Sequence, residues 1–176
     1  MSMPRHLRAV SALLFLSTTA GLAETPDLGR PATPEEIAVW DISIGPDGAG
    51  LPPGSGTPQQ GEAVYAAKCL PCHGEKGSGK PNDQLVGGFG TLTGDQTPVK
   101  TVGSFWPYAT TLFDYVRRAM PFNAPRSLSN DDVYAVCAYI LHLNDIISEG
   151  AVMNAQTLAE VRMPNRDGFV PFSRQK

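Results

Sequence analysis

The chain has 176 residues, a net charge of −3 and an apolar fraction of 41%, which together predict one globular domain of ordinary composition. Its 18 glycines and 16 prolines make up nearly a fifth of the sequence, so long irregular segments are expected. The acidic balance argues against nucleic acid as a partner, because phosphate backbones attract basic surfaces.

The N-terminus has the pattern of a Sec signal peptide over residues 1–23. Arg5 and Arg8 form a basic start, residues 9–16 are apolar, and small residues lead to a cleavage site after Ala23. The apolar run is too short to span about 30 Å of hydrocarbon, and no later stretch is apolar enough to cross a membrane. We therefore expect export to the periplasm, with the net charge moving from −3 to −5 because cleavage removes two arginines and no acidic residue.

The rest of the chain is predicted to have three parts. Residues 24–56 form an irregular N-terminal arm in which only residues 33–37 look like a helix start. Residues 57–145 carry helical signals, and residues 146–176 form a polar, irregular C-terminal arm. Since no alternating strand pattern of useful length is present, the predicted fold class is all-α.

Three helices are predicted within residues 57–145. The first begins after Thr57, with Pro58 at its first position, and runs toward the first cysteine. The second starts at Thr110 or Thr111 and stops at Pro121. The third follows a capping-box pattern at residues 129–132. The apolar faces expected at helical spacing are Leu112, Tyr115, Val116 and Ala119 in the second helix, and Val133, Val136, Cys137, Ile140 and Leu141 in the third.

The chemistry-bearing motif is Cys69-Leu70-Pro71-Cys72-His73. Two cysteines three apart on a helical turn face the same way, so their sulfurs can form thioethers with the two vinyl groups of one porphyrin. The histidine that follows can then bind the iron. A redox disulfide would be expected in a βαβ unit, and a zinc site needs four ligands, for which only Cys137 and His142 remain. The motif therefore predicts one covalent haem c at Cys69, Cys72 and His73.

The loop from 74 to 107 supports this interpretation. A segment of that length with little secondary structure is uncommon in a compact domain. A haem buried against it would supply the missing apolar core.

The second axial ligand is predicted to be Met120. After signal cleavage the other histidine is His142, which we expect to face solvent, opposite the apolar stripe. Met120 ends the second helix before Pro121, whereas Met153 lacks supporting context and Met163 falls in the polar tail. The alternative for Met120 is a core gap-filler. His/Met ligation raises the haem potential, which suits electron acceptance rather than oxygen binding.

Five further residues are predicted to lie at the haem rim or to pack in the core. Trp106 and Tyr108 lie either at the haem rim or in the core. Gly61 and Tyr65 are expected to pack the first helix on the last one, and Cys137 is expected to be a small buried apolar residue.

Taken together, the helix, the C-x-x-C-H motif, the glycine-rich loop, Met120-Pro121 and the final helix resemble a class I cytochrome c over roughly residues 57–145. The fold implied is a few helices wrapped around one covalent haem, with long irregular N- and C-terminal arms. The flanks are also similar to SoxD, the cytochrome subunit of the SoxCD sulfur dehydrogenase, and to cytochrome subunits of sulfite dehydrogenases. The segments that carry this similarity are 40–42, 50–56, 105–111, 115–122 and 161–169.

This resemblance implies an electron-transfer subunit that has no catalytic residues of its own. Its partner would be a molybdenum-containing SoxC-type or sulfite dehydrogenase subunit that oxidises sulfane sulfur on a SoxYZ-type carrier, or sulfite. A downstream cytochrome c would accept the electrons. Longer SoxD proteins have a second haem domain, whereas this chain has one C-x-x-C-H, so the substrate is left open. The alternatives are a free periplasmic electron shuttle and a haem enzyme or sensor with an open iron site.

The arms are expected to pack partly on the haem domain and partly on the partner subunit, with residues 57–145 complete as a haem domain. Both arms contain scattered large apolar residues of the kind that anchor interfaces. These are Ile37, Val39, Trp40, Ile42, Val161, Met163, Phe169, Val170 and Phe172.

Overall fold

The computed structural model describes residues 28–170, so the predicted signal peptide and Phe172 lie outside the described residues. Within that range the regular secondary structure is almost entirely helical, as predicted. The helices are α1 (Pro34–Trp40), α2 (Pro58–Lys68), α3 (Leu70–His73), α4 (Ala109–Ala119), α5 (Asn130–Leu143) and α6 (Ala155–Glu160), with a 3-10 turn at Glu75–Gly77 and two short strands, β1 (Ser55–Gly56) and β2 (Met153–Asn154).

Helix α5 forms the centre of the molecule. Its predicted apolar stripe is fully buried, and Tyr134 and Ala138 on other faces are buried as well. The predicted capping box is confirmed, since the Ser129 hydroxyl accepts from the Asp132 amide at 3.1 Å and an Asp132 oxygen accepts from the Ser129 amide at 3.3 Å. A helix enclosed on all sides belongs to the core of the domain rather than to its surface.

Helix α2 crosses α5 at very close range. A Cβ atom on Gly61 would overlap the carbonyl oxygen of Ala135, so only glycine allows this approach. The Tyr65 and Tyr139 rings pack next to it with centroids 5.4 Å apart. The predicted contact of Gly61 and Tyr65 with the last helix is confirmed, as is the start of α2, where Thr57 and Gln60 form a capping box.

Helix α4 begins at Ala109, slightly earlier than predicted, and ends at Ala119 before Met120. Leu112 and Val116 are buried as predicted, but Tyr115 is 47% exposed, so its placement on the buried face was wrong. Phe113 takes the inward position and stacks on Tyr134 with centroids 4.4 Å apart. Tyr115 instead meets the edge of Trp106 at 5.8 Å.

The C-terminal segment is mostly irregular, as predicted, but it also contributes to the core. β2 pairs antiparallel with β1, with Gly56 opposite Met153, and α6 follows directly. Met153, Leu158 and Met163 are all buried in the same cluster as α5. The sequence signal was weak because two-residue strands and isolated buried side chains have no periodicity.

The N-terminal arm differs from the C-terminal one. α1 is capped by Thr33 as predicted, yet none of its residues is buried. Further along, Ile44 and Leu51 pack against the core cluster. The arm therefore joins the domain only after α1.

Candidate haem site

The C-x-x-C-H motif is held on one tight turn. Cys69 ends α2 and starts α3, and its carbonyl accepts from the amides of Cys72 and His73 at 3.1 and 2.9 Å. Cys69 and His73 are half-buried and Cys72 is exposed. The two thiols are free rather than joined in a disulfide. This turn presents two thiols and one imidazole from a single short segment.

The orientation of His73 is fixed by a hydrogen bond on one ring nitrogen. His73 Nδ1 lies 2.8 Å from the carbonyl oxygen of Asp83. Because a carbonyl can only accept, Nδ1 carries the hydrogen and Nε2 keeps its lone pair. A neutral imidazole with a free Nε2, steadied by a bond on Nδ1, is the form in which histidine binds metals.

The thiols of the motif and of α5 differ in environment. Burial, followed by the neighbouring Cys72, raises the pKa of Cys69 to about 11, so this thiol is protonated at neutral pH. Cys137 is fully buried and burial raises its pKa strongly, which makes it an inert core residue as predicted.

Met120 lies at the C-cap of α4 in an extended conformation that turns the chain away from the helix. Its side chain is half-buried and packs against the same core cluster as Cys69, Leu85 and Trp106. Met153 and Met163 are 4% and 1% exposed, with their side chains enclosed by the core. Among the methionines of residues 28–170, Met120 is therefore the one whose side chain is partly uncovered by protein and accessible to a ligand.

The glycine-rich loop folds back onto the motif through backbone hydrogen bonds. Gly79 and Asn82 donate to the carbonyls of His73 and Cys72 at 2.7 and 2.9 Å. Farther along, Leu85 donates to Gly77 at 2.9 Å. The loop is thus an ordered part of the site, although its regular secondary structure is limited to the 3-10 turn at Glu75–Gly77.

Buried polar side chains that the sequence reasoning missed also hold this loop. Thr101, Ser104 and Asn144 are each no more than 5% exposed and bond to loop carbonyls or amides. A threonine and a serine three residues apart have many local roles, so the sequence carries little signal for them.

The remaining predicted residues lie around this centre. Tyr108 precedes α4 and stacks under the Arg166 guanidinium, 4.2 Å from the ring centroid. His142 was expected to face solvent but is half-buried, with Nδ1 3.3 Å from the Ile147 carbonyl, because the chain after α5 turns back over it.

These observations fit a covalent haem. The motif supplies two free thiols and an oriented imidazole, and the adjoining apolar side chains are left only half-buried by the protein itself. No helix within residues 28–170 has the length and apolar character needed to cross a membrane.

Comparison with known proteins agrees with this geometry. Residues 56–140 match the family model described as cytochrome c oxidase, cbb3-type, subunit III. The structure is similar to a chain of the sulfane dehydrogenase SoxCD from Paracoccus pantotrophus, with a TM-score of 0.79 and 44% identity over 86% of this chain and 75% of that one. The chain belongs to the SoxD-like c-type cytochromes.

Two curated relatives of this SoxD-like cytochrome are thiosulfate dehydrogenases. It is 32% identical to the thiosulfate dehydrogenase of Allochromatium vinosum over 77% of its own length and 45% of that protein. It is 30% identical to the thiosulfate dehydrogenase of Psychrobacter arcticus over 47% of its own length and 25% of that protein. It thus spans less than half of either relative.

Family membership establishes the main features of the SoxD-like cytochrome. The class I cytochrome c fold is confirmed, and with it a covalently bound haem c and a role in electron transfer. The predicted relationship to sulfur-oxidation proteins is confirmed by the SoxCD and thiosulfate dehydrogenase relatives.

Proposed function

We propose that this chain is a periplasmic cytochrome with one haem that serves as the electron-transfer subunit of a sulfur or sulfite dehydrogenase. The molybdenum-containing partner oxidises the substrate and delivers electrons singly to the cytochrome, which passes them to a downstream cytochrome c. The observation that carries the proposal is the 44% identity to a chain of SoxCD over 86% of this chain, a range too long to be confined to the haem motif.

Four residues have roles in this proposal. Cys69 and Cys72 would form the thioethers, His73 would bind iron through Nε2, and Met120 would be the second protein ligand. The haem supplies a carrier for one electron at a time. The protein orients His73 through the Asp83 carbonyl, and the half-buried apolar side chains beside the motif would exclude water from the haem.

The partner surface in this proposal includes α1. Ile37, Val39 and Trp40 are 51, 57 and 79% exposed, although α1 has a complete capping box that defines its start. A helix of seven residues with no buried side chain gains little stability from its own chain. Its apolar side chains are suited to contact a permanent partner, with Trp40 as the anchor.

The experiment is partner-dependent reduction of the holo-cytochrome. The oxidised protein is mixed with the molybdenum subunit and then with sulfite or with a sulfane-loaded carrier, and the haem absorbance is followed. We expect rapid reduction by one of the two substrates, and slower reduction of Trp40→Ala at an unchanged haem spectrum. Retention of haem after acid–acetone extraction verifies its covalent attachment in the same sample. No reduction by either substrate, with reduction by unrelated periplasmic donors, would favour a free shuttle.

A second candidate follows from the thiosulfate dehydrogenase relatives. If the chain itself oxidises a sulfur oxyanion at an open haem iron, the isolated protein should be reduced by thiosulfate without a molybdenum subunit. We expect no such reduction from a His/Met-ligated haem. Reduction of the isolated protein by thiosulfate would therefore replace the first proposal with this one.

A further inference from the structure

Asn144 makes more contacts than a helix cap requires. It ends α5 with 1% of its surface exposed, and its Nδ2 donates to the carbonyl of Ile140 at 2.9 Å, which satisfies the helix end. The same side chain reaches across to the glycine-rich loop. Nδ2 donates to the Leu85 carbonyl at 3.2 Å, and Oδ1 accepts from the Gly87 amide at 3.0 Å.

The loop segment 85–87 is also held from two other directions. The amides of Leu85 and Val86 donate to the Gly77 carbonyl at 2.9 and 3.3 Å. The Thr101 hydroxyl donates to the Gly87 carbonyl at 2.6 Å. A Cβ on Gly103 would overlap the Asn144 amide, so the pocket around Asn144 has no spare room. A fully bonded amide in such a pocket fixes the backbone that it touches.

This segment adjoins the group that orients His73. Asp83, whose carbonyl accepts from His73 Nδ1, lies between Asn82, bonded to the Cys72 carbonyl, and Leu85, bonded to Asn144. The position of the Asp83 carbonyl is thus set from one side by the haem motif and from the other by Asn144.

We propose that Asn144 is a positioning residue for the proximal histidine. By holding Leu85 and Gly87, it keeps the Asp83 carbonyl in place on His73 Nδ1. This hydrogen bond increases the basicity of the ring and so favours oxidised iron. Asn144 thereby lowers the reduction potential of the haem from the far end of α5. The inference rests on the proposed assignment of His73 as an axial ligand.

The test compares three variants of the full holo-protein. Asn144→Ala removes all three hydrogen bonds, and Thr101→Val removes the anchor on the Gly87 carbonyl with little change in shape. Asn154→Ala is the matched control. The Asn154 side chain caps α6 by accepting from the amides of Gln156 and Thr157, and these hydrogen bonds do not involve the loop. Two quantities are measured: the midpoint potential, and the solvent exchange rate of the His73 Nδ1 hydrogen by NMR of the reduced protein.

We expect Asn144→Ala to accelerate that exchange about tenfold and to shift the reduction equilibrium constant at least threefold toward reduced iron, which corresponds to about 28 mV. Thr101→Val should change both in the same direction by less. Asn154→Ala should lower the melting temperature and change neither. If Asn144→Ala lowers the melting temperature but leaves exchange and potential unchanged, the proposal is overturned. If that variant does not fold, unchanged values in Thr101→Val overturn it. A wild-type spectrum without a histidine-bound iron would instead refute the assignment of His73.

Discussion

Two hydrogen bonds, one at His73 and one at the residue after it, show how single residues hold the haem motif in place. On one side the Asp83 carbonyl fixes the imidazole, and on the other the Tyr65 hydroxyl donates to the Gly74 carbonyl at 2.8 Å. Burial raises the pKa of Tyr65 to about 12, so the phenol stays protonated and remains a donor across the physiological range. The backbone after His73 is therefore tied directly to α2.

At the same scale, we expect Met120→Ala to abolish the methionine–iron band at the red end of the oxidised spectrum. The potential should fall by an amount on the order of 0.1 V, since axial ligands span a range of about 0.8 V. Met163→Leu is the matched control, because Met163 is 1% exposed and a change of similar volume costs about 1 kcal/mol. Loss of the band in Met163→Leu, with its retention in Met120→Ala, would show that the ligand assignment is wrong.

Among the elements, α1 is one whose stability depends on surface charge. Arg30 pairs with Glu36 at 2.5 Å, and Glu36 also accepts from the Thr33 amide at 2.9 Å. The Arg30 guanidinium and then the Thr33 amide lower the pKa of Glu36 from its ordinary 4.5. These contacts need the ionised carboxylate.

We therefore expect α1 to be acid-sensitive. Since the pKa of Glu36 is lowered in the folded chain, its stabilisation is fully present above about pH 4.5 and is lost as the pH falls through the lowered value. Amide exchange of residues 34–40 should accelerate in that window before α2 and α5 respond. Glu36→Gln keeps a capping-box residue without the charge. Its exchange should depend less on pH there than that of the wild type, and the remaining dependence should come from Glu35, whose pKa is lowered by its own backbone amide and then by the Thr33 hydroxyl. A response equal to the wild type would contradict the role of Glu36.

The crossing of α2 and α5 gives a second element-scale expectation. Gly61→Ala adds a helix-favouring methyl group but drives it into the Ala135 carbonyl, so we expect a net loss of about 1–3 kcal/mol in urea unfolding. Ala67→Gly, on the exposed side of the same helix, makes the reverse change. It should cost about 0.5–1 kcal/mol through helix propensity alone. If Gly61→Ala increased the free energy of unfolding, α2 and α5 would be able to move apart without a loss of stability.

The elements that were predicted correctly depend on residues that lie close together in the sequence. The capping residues Thr57 and Ser129 and the residues of the C-x-x-C-H motif lie within a few positions of each other, so their interactions can be inferred directly. Tyr115 was misplaced because the buried face of α4 includes Ala109 and Phe113 beside Leu112 and Val116, and this face is rotated about the helix axis away from Tyr115. Asn144 could not be found, since an asparagine at a helix end is common and its bonds to Leu85 and Gly87 depend on the tertiary fold.

For the whole molecule, the two arms contribute to the core to different extents, since α1 of the N-terminal arm buries no side chain. Residues 51–56 are fastened to α5, where Tyr134 donates to the Pro52 carbonyl at 2.8 Å and the Ser55 amide donates to Asp131 at 2.8 Å. The C-terminal segment adds three buried side chains to the core. A haem domain limited to residues 57–145 would therefore lack side chains that form part of the core.

We accordingly expect two deletions to behave differently. Removing residues 28–41 should change the free energy of unfolding by less than about 1 kcal/mol, since α1 buries nothing. Removing residues 146–176 deletes Met153, Leu158 and Met163, each worth about 1.5–3 kcal/mol when buried. That total is comparable with the stability of a small domain. Thermal melts followed by circular dichroism check this, and equal losses for the two deletions would contradict the difference.

The pairing of β1 with β2 also fixes the order in which the molecule is completed. Ser55 and Asn154 stand on either side of the whole segment that contains α2 to α5, and a ribosome releases that segment from its N-terminal end. The cysteines therefore emerge long before the strand that closes the core. Because the expected Sec export also delivers the chain from its N-terminal end, the haem motif reaches the periplasm before β2. We expect the machinery that attaches the haem to meet a motif that the C-terminal segment does not yet cover.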